Sequence, residues 1–137
     1  MIRVYTDMSA DIFHVGHLNL IKRAKTFGDY LIVGVHSDKD ISKYKRKPII
    51  SEQDRYEIIR SCKYVDDVIE AAPLMMTEKF IKYYNIDLVV RGDDVTEEHL
   101  RQQAYPIKAN IIRYVPRTKG ISTTEIMRRI KNEKNKR

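Results

Sequence analysis

Tryptophan is absent from this chain and cysteine occurs once, at Cys62, in 137 residues. A lone cysteine excludes an intramolecular disulfide framework and a cysteine zinc site. Long apolar runs are missing as well. The longest, Tyr30-Leu-Ile-Val-Gly-Val35, is far too short to cross a bilayer. The N-terminus, Met-Ile-Arg-Val-Tyr, runs into a strand-like pattern without a signal-peptide layout, and no internal repeat or low-complexity linker interrupts the chain. What is present is a globular composition, 42% apolar and 33% charged. The length suits one ordinary domain, able to bury roughly two-thirds of its unfolded surface. These features place the chain among cytoplasmic enzymes and binding domains.

The formal charge is +7, but it is unevenly spread. Residues 128–137 hold six basic side chains and one acidic one, so the remaining 127 residues carry only +2. A basic end of this kind is most often a solvated face. The aromatic residues are mostly tyrosines scattered along the chain and build no stacking platform among basic residues, so nucleic acid is not an expected partner. The charge favours small anionic ligands.

Apolar patterning alternates between strands and helices. Ile2–Thr6 reads as a short strand, and Asp29–His36 as a longer one buried on both faces. Between them Leu20, Ile21, Ala24 and Phe27 recur at helical spacing, with Gly28 as the helix stop. Ser51 opens a second helix with Asp54 three residues on, and Thr77 caps a third that runs through Tyr84. Strands are expected at Val65–Ile69, Ile86–Val90 and Asn110–Val115, and Ser122 with Glu125 stands in capping-box register for a last helix. The reading is an α/β chain: one Rossmann-like domain over residues 1–127, with a mostly parallel sheet flanked by helices. Residues 128–137 are the end of the last helix and a basic tail. In such sheets ligands bind beyond the carboxyl ends of the strands, which directs attention to the loops that follow them.

After the first strand comes Asp11-Ile-Phe-His14-Val-Gly16-His17, entering a helix. Two imidazoles three residues apart at a helix start can face one point. The helix N-terminus adds unpaired N–H groups and partial positive charge, and Gly16 leaves room for a phosphate near the backbone. The competing reading, a zinc pair, lacks a third ligand. More than a hundred residues later, Arg117-Thr-Lys-Gly120-Ile121-Ser122-Thr123-Thr124 follows the last strand and opens the last helix. It offers a guanidinium, several hydroxyls and a second helix N-terminus. A well-capped surface helix would explain it alone; two anion-binding helix starts beside one parallel sheet make a stronger joint signal.

These residues resemble the cytidylyltransferases, a family that includes the glycerol-3-phosphate, ethanolamine-phosphate and choline-phosphate enzymes. The likeness spans nearly the whole chain through Gly28–Asp38, Glu52–Tyr56, Tyr64–Val68 and Gly92-Asp-Asp94. It implies a nucleotidyltransferase homodimer that moves CMP from CTP to a small phosphorylated or phosphonate acceptor, with Mg²⁺ arriving on the nucleotide phosphates and no metal held by the protein alone. By position, it makes His14, His17, Lys45 and Arg117 catalytic. Ser9, Ala10, Asp11, Gly16, Asp94, Gly120, Ile121, Ser122 and Thr123 join His14, His17 and Arg117 around the nucleotide. Lys45 and Arg55 contact the acceptor. The chain departs from the family at Met8-Ser9-Ala10-Asp11, where a glycine and an aromatic residue are usual. It also departs at Arg46-Lys47-Pro48, where a glycine usually follows the lysine, and at Lys63, where many members have arginine. A more cationic loop suits a more anionic acceptor.

The implied chemistry needs no general base. A phosphomonoester is largely a dianion at neutral pH, so alignment and neutralisation of phosphoryl charge are what the protein must supply. The chain carries no Walker loop, serine triad or zinc signature. The rival readings are an adenylyltransferase on the same fold, a catalytically silent nucleotide-binding homologue, and a basic nucleic-acid-binding domain. His36, Cys62, Met75 and Met76 read as packing residues, and His99 as a solvated one. Asp66 and Asp67 read as turn or dimer residues.

Overall fold

The computed structural model describes residues 1–136. Five strands form one all-parallel sheet: β1 (Arg3–Met8), β2 (Tyr30–Val35), β3 (Asp67–Glu70), β4 (Leu88–Gly92) and β5 (Ile112–Val115), in the order β3-β2-β1-β4-β5. Around it lie α1 (Val15–Lys25), α2 (Asp38–Ser42), α3 (Glu52–Arg60), α4 (Glu78–Tyr83), α5 (Glu97–Gln102), α6 (Ala104–Lys108) and α7 (Thr123–Lys136). The chain winds outward from β1 to β3, then crosses back to lay β4 on the other side of β1. The order therefore reverses between β1 and β4, and the ends of those strands form the crevice.

Alternation within the buried strands divides two cores. Val4, Leu31, Val33, Val35 and Val90 pack with Ile21 and Ala24 of α1 and Tyr56 and Ile59 of α3. On the opposite face Tyr5, Ile32, Ile69 and Val89 pack with Met76, Ile81 of α4 and Ile86. Cys62 packs against the first cluster as a small apolar residue, and Met76 is buried while its neighbour Met75 is exposed.

The strands follow the apolar pattern, each within a residue or two of its expected limits. Thr77 and Ser51 cap α4 and α3 by accepting the Phe80 and Asp54 N–H groups. Asp66 ties β2 to α1, accepting from Leu31 N and Lys25 Nζ. The helix α1 stops shortly before Gly28, as expected, but the cap is not the glycine. α1 closes at Thr26 in right-handed conformation, and Gly28 instead lets the chain pass under β1, where a Cβ would lie 2.6 Å from Val4 Cγ2. The short helices α2, α5 and α6 lie in polar segments whose periodicity is too brief to register. The basic C-terminal segment is helical through Lys136, where the described residues end; Arg137 lies outside them.

Candidate functional site

The segment after β1 is bent sharply. Ala10 and Ile12 both take left-handed backbone, at φ 57° and 51°. That conformation is costly for any residue with a Cβ and most so for a β-branched one, and such strain gathers at ligand sites. What holds the bend is visible. Arg55 of α3 is fully buried and donates to Ser9 O at 2.5 Å, His36 O at 2.8 Å and Ile50 O at 3.0 Å, and to Asp38 Oδ1 at 2.7 Å. Asp11 accepts the Ile49 and Ile50 N–H groups at 3.0 and 2.9 Å, one on each oxygen. Both residues were expected to touch substrate. In the structure their polar atoms face the protein, and they pin the strained loop and the segment 43–50 to the sheet.

The bend delivers His14 to the N-cap of α1. His14 Nδ1 accepts from Gly16 N at 3.0 Å, and His17 Nδ1 accepts from His14 N at 3.2 Å, a reciprocal capping box built from two imidazoles. Each ring receives a backbone N–H on Nδ1, so each neutral ring carries its own proton on Nε2. Burial, followed by the neighbouring His14 and Lys45, holds His17 down at about 4 against the opposing pull of Asp11. Burial lowers His14 too. At neutral pH the pair is thus two uncharged N–H donors. Phe13 stacks on His17 at 5.6 Å between centroids. Gly16 serves the pair: an added Cβ would lie 2.7 Å from His14 Cε1.

The second helix start meets the first. Thr123 Oγ1 donates to Asp11 O at 2.8 Å, Asn19 Nδ2 donates to Thr118 Oγ1 at 2.9 Å, and Ile121 Cγ2 lies 3.6 Å from where a Gly16 Cβ would stand. Ser122 Oγ accepts from Glu125 N at 3.0 Å. The reciprocal half of the expected box is replaced, because Glu125 turns its carboxylate to Arg128 and Arg129. Gly120 has φ 81°, which a turn here requires and which glycine adopts without penalty. Arg117 N donates to Asp93 Oδ1 at 3.1 Å, bringing the loop after β4, with exposed Asp94, against the loop after β5. A cavity of about 350 Å³ opens between α1 and this turn, lined by Asn19, Lys22, Arg23, Pro116, Arg117 and Thr118. Three of those six are cationic.

Lys45 stands exposed in the segment 43–50, with its ammonium lowered by partial desolvation and then by Arg91 and Arg46. Beneath it lies a network absent from the sequence reading. Asp7, at the end of β1, is buried and takes Arg91 Nη1 on Oδ1 and His36 Nε2 on Oδ2, the latter at 3.2 Å. Burial opposes the Asp7 charge, yet Arg91 and His36 outweigh it and hold the carboxyl at about 2. His36 Nδ1 faces Ala72 O at 3.0 Å and must donate to it, and despite burial the Asp7 contact raises the imidazole. The available signal was a charged or polar residue closing each of three neighbouring buried strands. His36 keeps the packing role given to it, as the third member of this cluster. His99 is not merely solvated, since its Nδ1 accepts from Thr96 N in the cap of α5.

The structure therefore gathers Ser9, Ala10, His14, Gly16, His17, Gly120, Ile121, Ser122 and Thr123 at two adjoining helix starts, with Arg117 and Lys45 beside them. The arrangement offers N–H donors and cations to a polyphosphate. Among the described residues no three His, Cys, Asp or Glu side chains converge as a metal site, and no helix is long and apolar enough to cross a membrane.

Comparison with known proteins agrees with this geometry. A family model described as cytidylyltransferase-like matches residues 5–129. Ethanolamine-phosphate cytidylyltransferase of Dictyostelium discoideum is 40% identical over 131 residues, covering 94% of this chain and 36% of the relative. Choline-phosphate cytidylyltransferase A of Homo sapiens is 34% identical over 139 residues, with coverage of 94% and 36%. The chain thus spans little more than a third of the length of these relatives. A crystal structure of the lipopolysaccharide core biosynthesis protein from Thermoplasma volcanium superposes with a TM-score of 0.73 at 28% identity, over 86% of this chain and 98% of that one.

Proposed function

The chain belongs to the cytidylyltransferase-like family, and on that premise we propose that it transfers CMP from CTP to a small phosphomonoester, releasing pyrophosphate. The observation that carries this reading is the joint between the two helix starts. Thr123 bonded to Asp11 O sets the N-terminus of α7 beside that of α1, where two neutral imidazoles present Nε2–H groups. A phosphate oxygen of the acceptor attacks the α-phosphorus of CTP, the bond to the bridging oxygen of the β-phosphate breaks, and that oxygen leaves with pyrophosphate. His14 and His17 donate to the α-phosphoryl oxygens as charge builds on them. Arg117, Ser122 and the α7 N-terminus hold the leaving phosphates, and Lys45 draws the acceptor phosphate into line. Preorganised donors of this kind act without reorganising during reaction. The donor set is cationic and imidazole-based, so Mg²⁺ would be carried on the triphosphate oxygens, supplying further charge neutralisation. The working enzyme is a cytoplasmic homodimer in this proposal.

The test is pyrophosphate release with Mg-CTP or Mg-ATP across a panel of small phosphomonoesters. Release that depends on CTP, and that His17→Ala lowers on the order of a hundredfold to a thousandfold with CTP binding largely kept, is the expected result. Preference for ATP, or His17→Ala turning over like the parent, overturns it.

A further inference from the structure

Arg91 closes β4 beside the reversal of strand order, on the face of the sheet opposite α1. Its side chain is 17% exposed. One of its nitrogens, Nη1, donates to Asp7, and no nitrogen of the guanidinium is both buried and without a partner. The remaining N–H groups therefore keep access to solvent. Besides Tyr5, Asp7 and His36 on the sheet, the side chains that sense its charge include Tyr44 and Lys45 from residues 43–50, Asp94 from the loop after β4, His99 from α5 and Tyr114 of β5. Lys45 is the residue assigned to the acceptor phosphate, so Arg91 borders the place where the rest of the acceptor must lie.

A cationic acceptor needs a free carboxylate there. Asp7 has one oxygen on Arg91 and the other on His36. Asp11 has both on the backbone of Ile49 and Ile50. Asp94 is left, exposed, and an ammonium reaching it would share the space with Lys45 and Arg91. The relatives above are named for ethanolamine phosphate and choline phosphate, whose far ends are ammonium groups. This crevice is built for the opposite charge, because a guanidinium with open donors pairs with carboxylate and hydroxyl oxygens.

We infer, resting on the transfer reaction proposed above, that Arg91 reads the far end of the acceptor, and that this end carries hydroxyl or carboxylate groups and no ammonium. Like charges at a binding surface exclude wrong partners, and a site with polar donors penalises a ligand that leaves them unpaired.

The experiment is kcat/KM for Mg-CTP with glycerol 3-phosphate, 3-phosphoglycerate and ribose 5-phosphate against phosphoethanolamine and phosphocholine. It is paired with calorimetry of each acceptor on the CTP-bound protein. The expected result is a preference of roughly tenfold or more for a member of the first group. Arg91→Gln should narrow that ratio, chiefly through the acceptor KM, with CTP affinity and circular dichroism showing that the variant is folded. Equal or better use of phosphoethanolamine or phosphocholine by the parent protein overturns the inference and leaves the transfer reaction standing. So does a folded Arg91→Gln with an unchanged ratio. If no acceptor binds or reacts and CTP does not bind, the transfer reaction itself fails and the inference falls with it. CTP binding with none of the five acceptors bound overturns the inference alone.

Discussion

The rings of His14 and His17 lie 3.9 Å apart between centroids, and each takes a backbone N–H on its Nδ1, His14 from Gly16 in the first turn of α1 and His17 from the N-cap residue His14. The contact that caps the helix is thus the one that fixes both rings in the Nε2–H form. A proton added to either Nδ1 would abolish a capping bond and place a charge beside its neighbour. Helix stability and the chemistry of the site are coupled through the same atoms.

That coupling gives a pH dependence of known sign. His17 falls from 6.5 to about 4 on folding, burial being the first cause. Between those values the unfolded chain binds more protons than the folded one, so stability rises with pH across the window. It is fully present above about 6.5 and is lost as pH falls toward 4. His36 has the opposite sign, since its folded value is raised, so its contribution is present at lower pH and fades as pH rises. The two separate by mutation. Urea unfolding at pH 7 and pH 5 should show the parent losing about 1–2 kcal/mol more than His17→Gln over that step. Equal losses in the two proteins would mean that His17 is not depressed in the folded chain.

Arg55 separates a structural from a substrate-binding role. It is completely buried and bridges α3, Ser9, His36 and Asp38. Arg55→Met leaves three carbonyls and a carboxylate without their donor and should cost about 3–5 kcal/mol. The expected outcome is a large fall in the urea midpoint, with the acceptor KM of the folded fraction close to that of the parent. A well-folded Arg55→Met with a strongly raised acceptor KM would place Arg55 in the binding site.

How much of this was legible in the sequence follows from how local each feature is. The strands announce themselves by continuous apolar runs, and the caps at Ser51, Thr77 and Ser122 by residue type and spacing, because both depend on near neighbours. The pairing of the His14 and Arg117 segments was also within reach, since any parallel sheet brings its carboxyl ends together. The Asp7–His36–Arg91 cluster was not. It joins residues 84 positions apart in the case of Asp7 and Arg91, and it depends on the register between β1, β2 and β4. The bonds that Asp11 and Arg55 make within the protein were out of reach for a related reason. A motif fixes where a residue stands along the chain, while the direction of its side chain is set by loop backbone at Ile49 and Ile50 and by carbonyls at Ser9 and His36, which sequence does not display.

Asp11 offers a further measurement. Its carboxylate is the anchor of Ile49 and Ile50, and so of the segment that carries Lys45. Asp11→Ala leaves two N–H donors unsatisfied at a nearly buried position, a cost of about 1–3 kcal/mol. Segment 43–50 should become the first site of limited proteolysis, and the acceptor KM should rise more than the Kd for CTP. Unchanged protease resistance in this segment would show that Asp11 does not hold it.

Gly16 carries the last prediction. In Gly16→Ala the new Cβ would stand 2.7 Å from Cε1 and 2.9 Å from Nδ1 of His14, closer than atoms in proteins approach. The obstacle is a side chain and not the backbone, so His14 can swing away and the fold survives. Alanine is in addition a better helix former than glycine, which offsets part of the lost cap. Stability should therefore change by no more than about 1 kcal/mol. Turnover should fall on the order of tenfold to a hundredfold, because the displaced His14 no longer lines up its Nε2–H beside that of His17. Nitrogen-15 spectra of the two rings give the direct check: the His14 resonances should lose the Nε2–H pattern of the parent protein while those of His17 keep it. A variant with parental spectra and parental turnover would mean that the space beside His14 is not what requires glycine at this position.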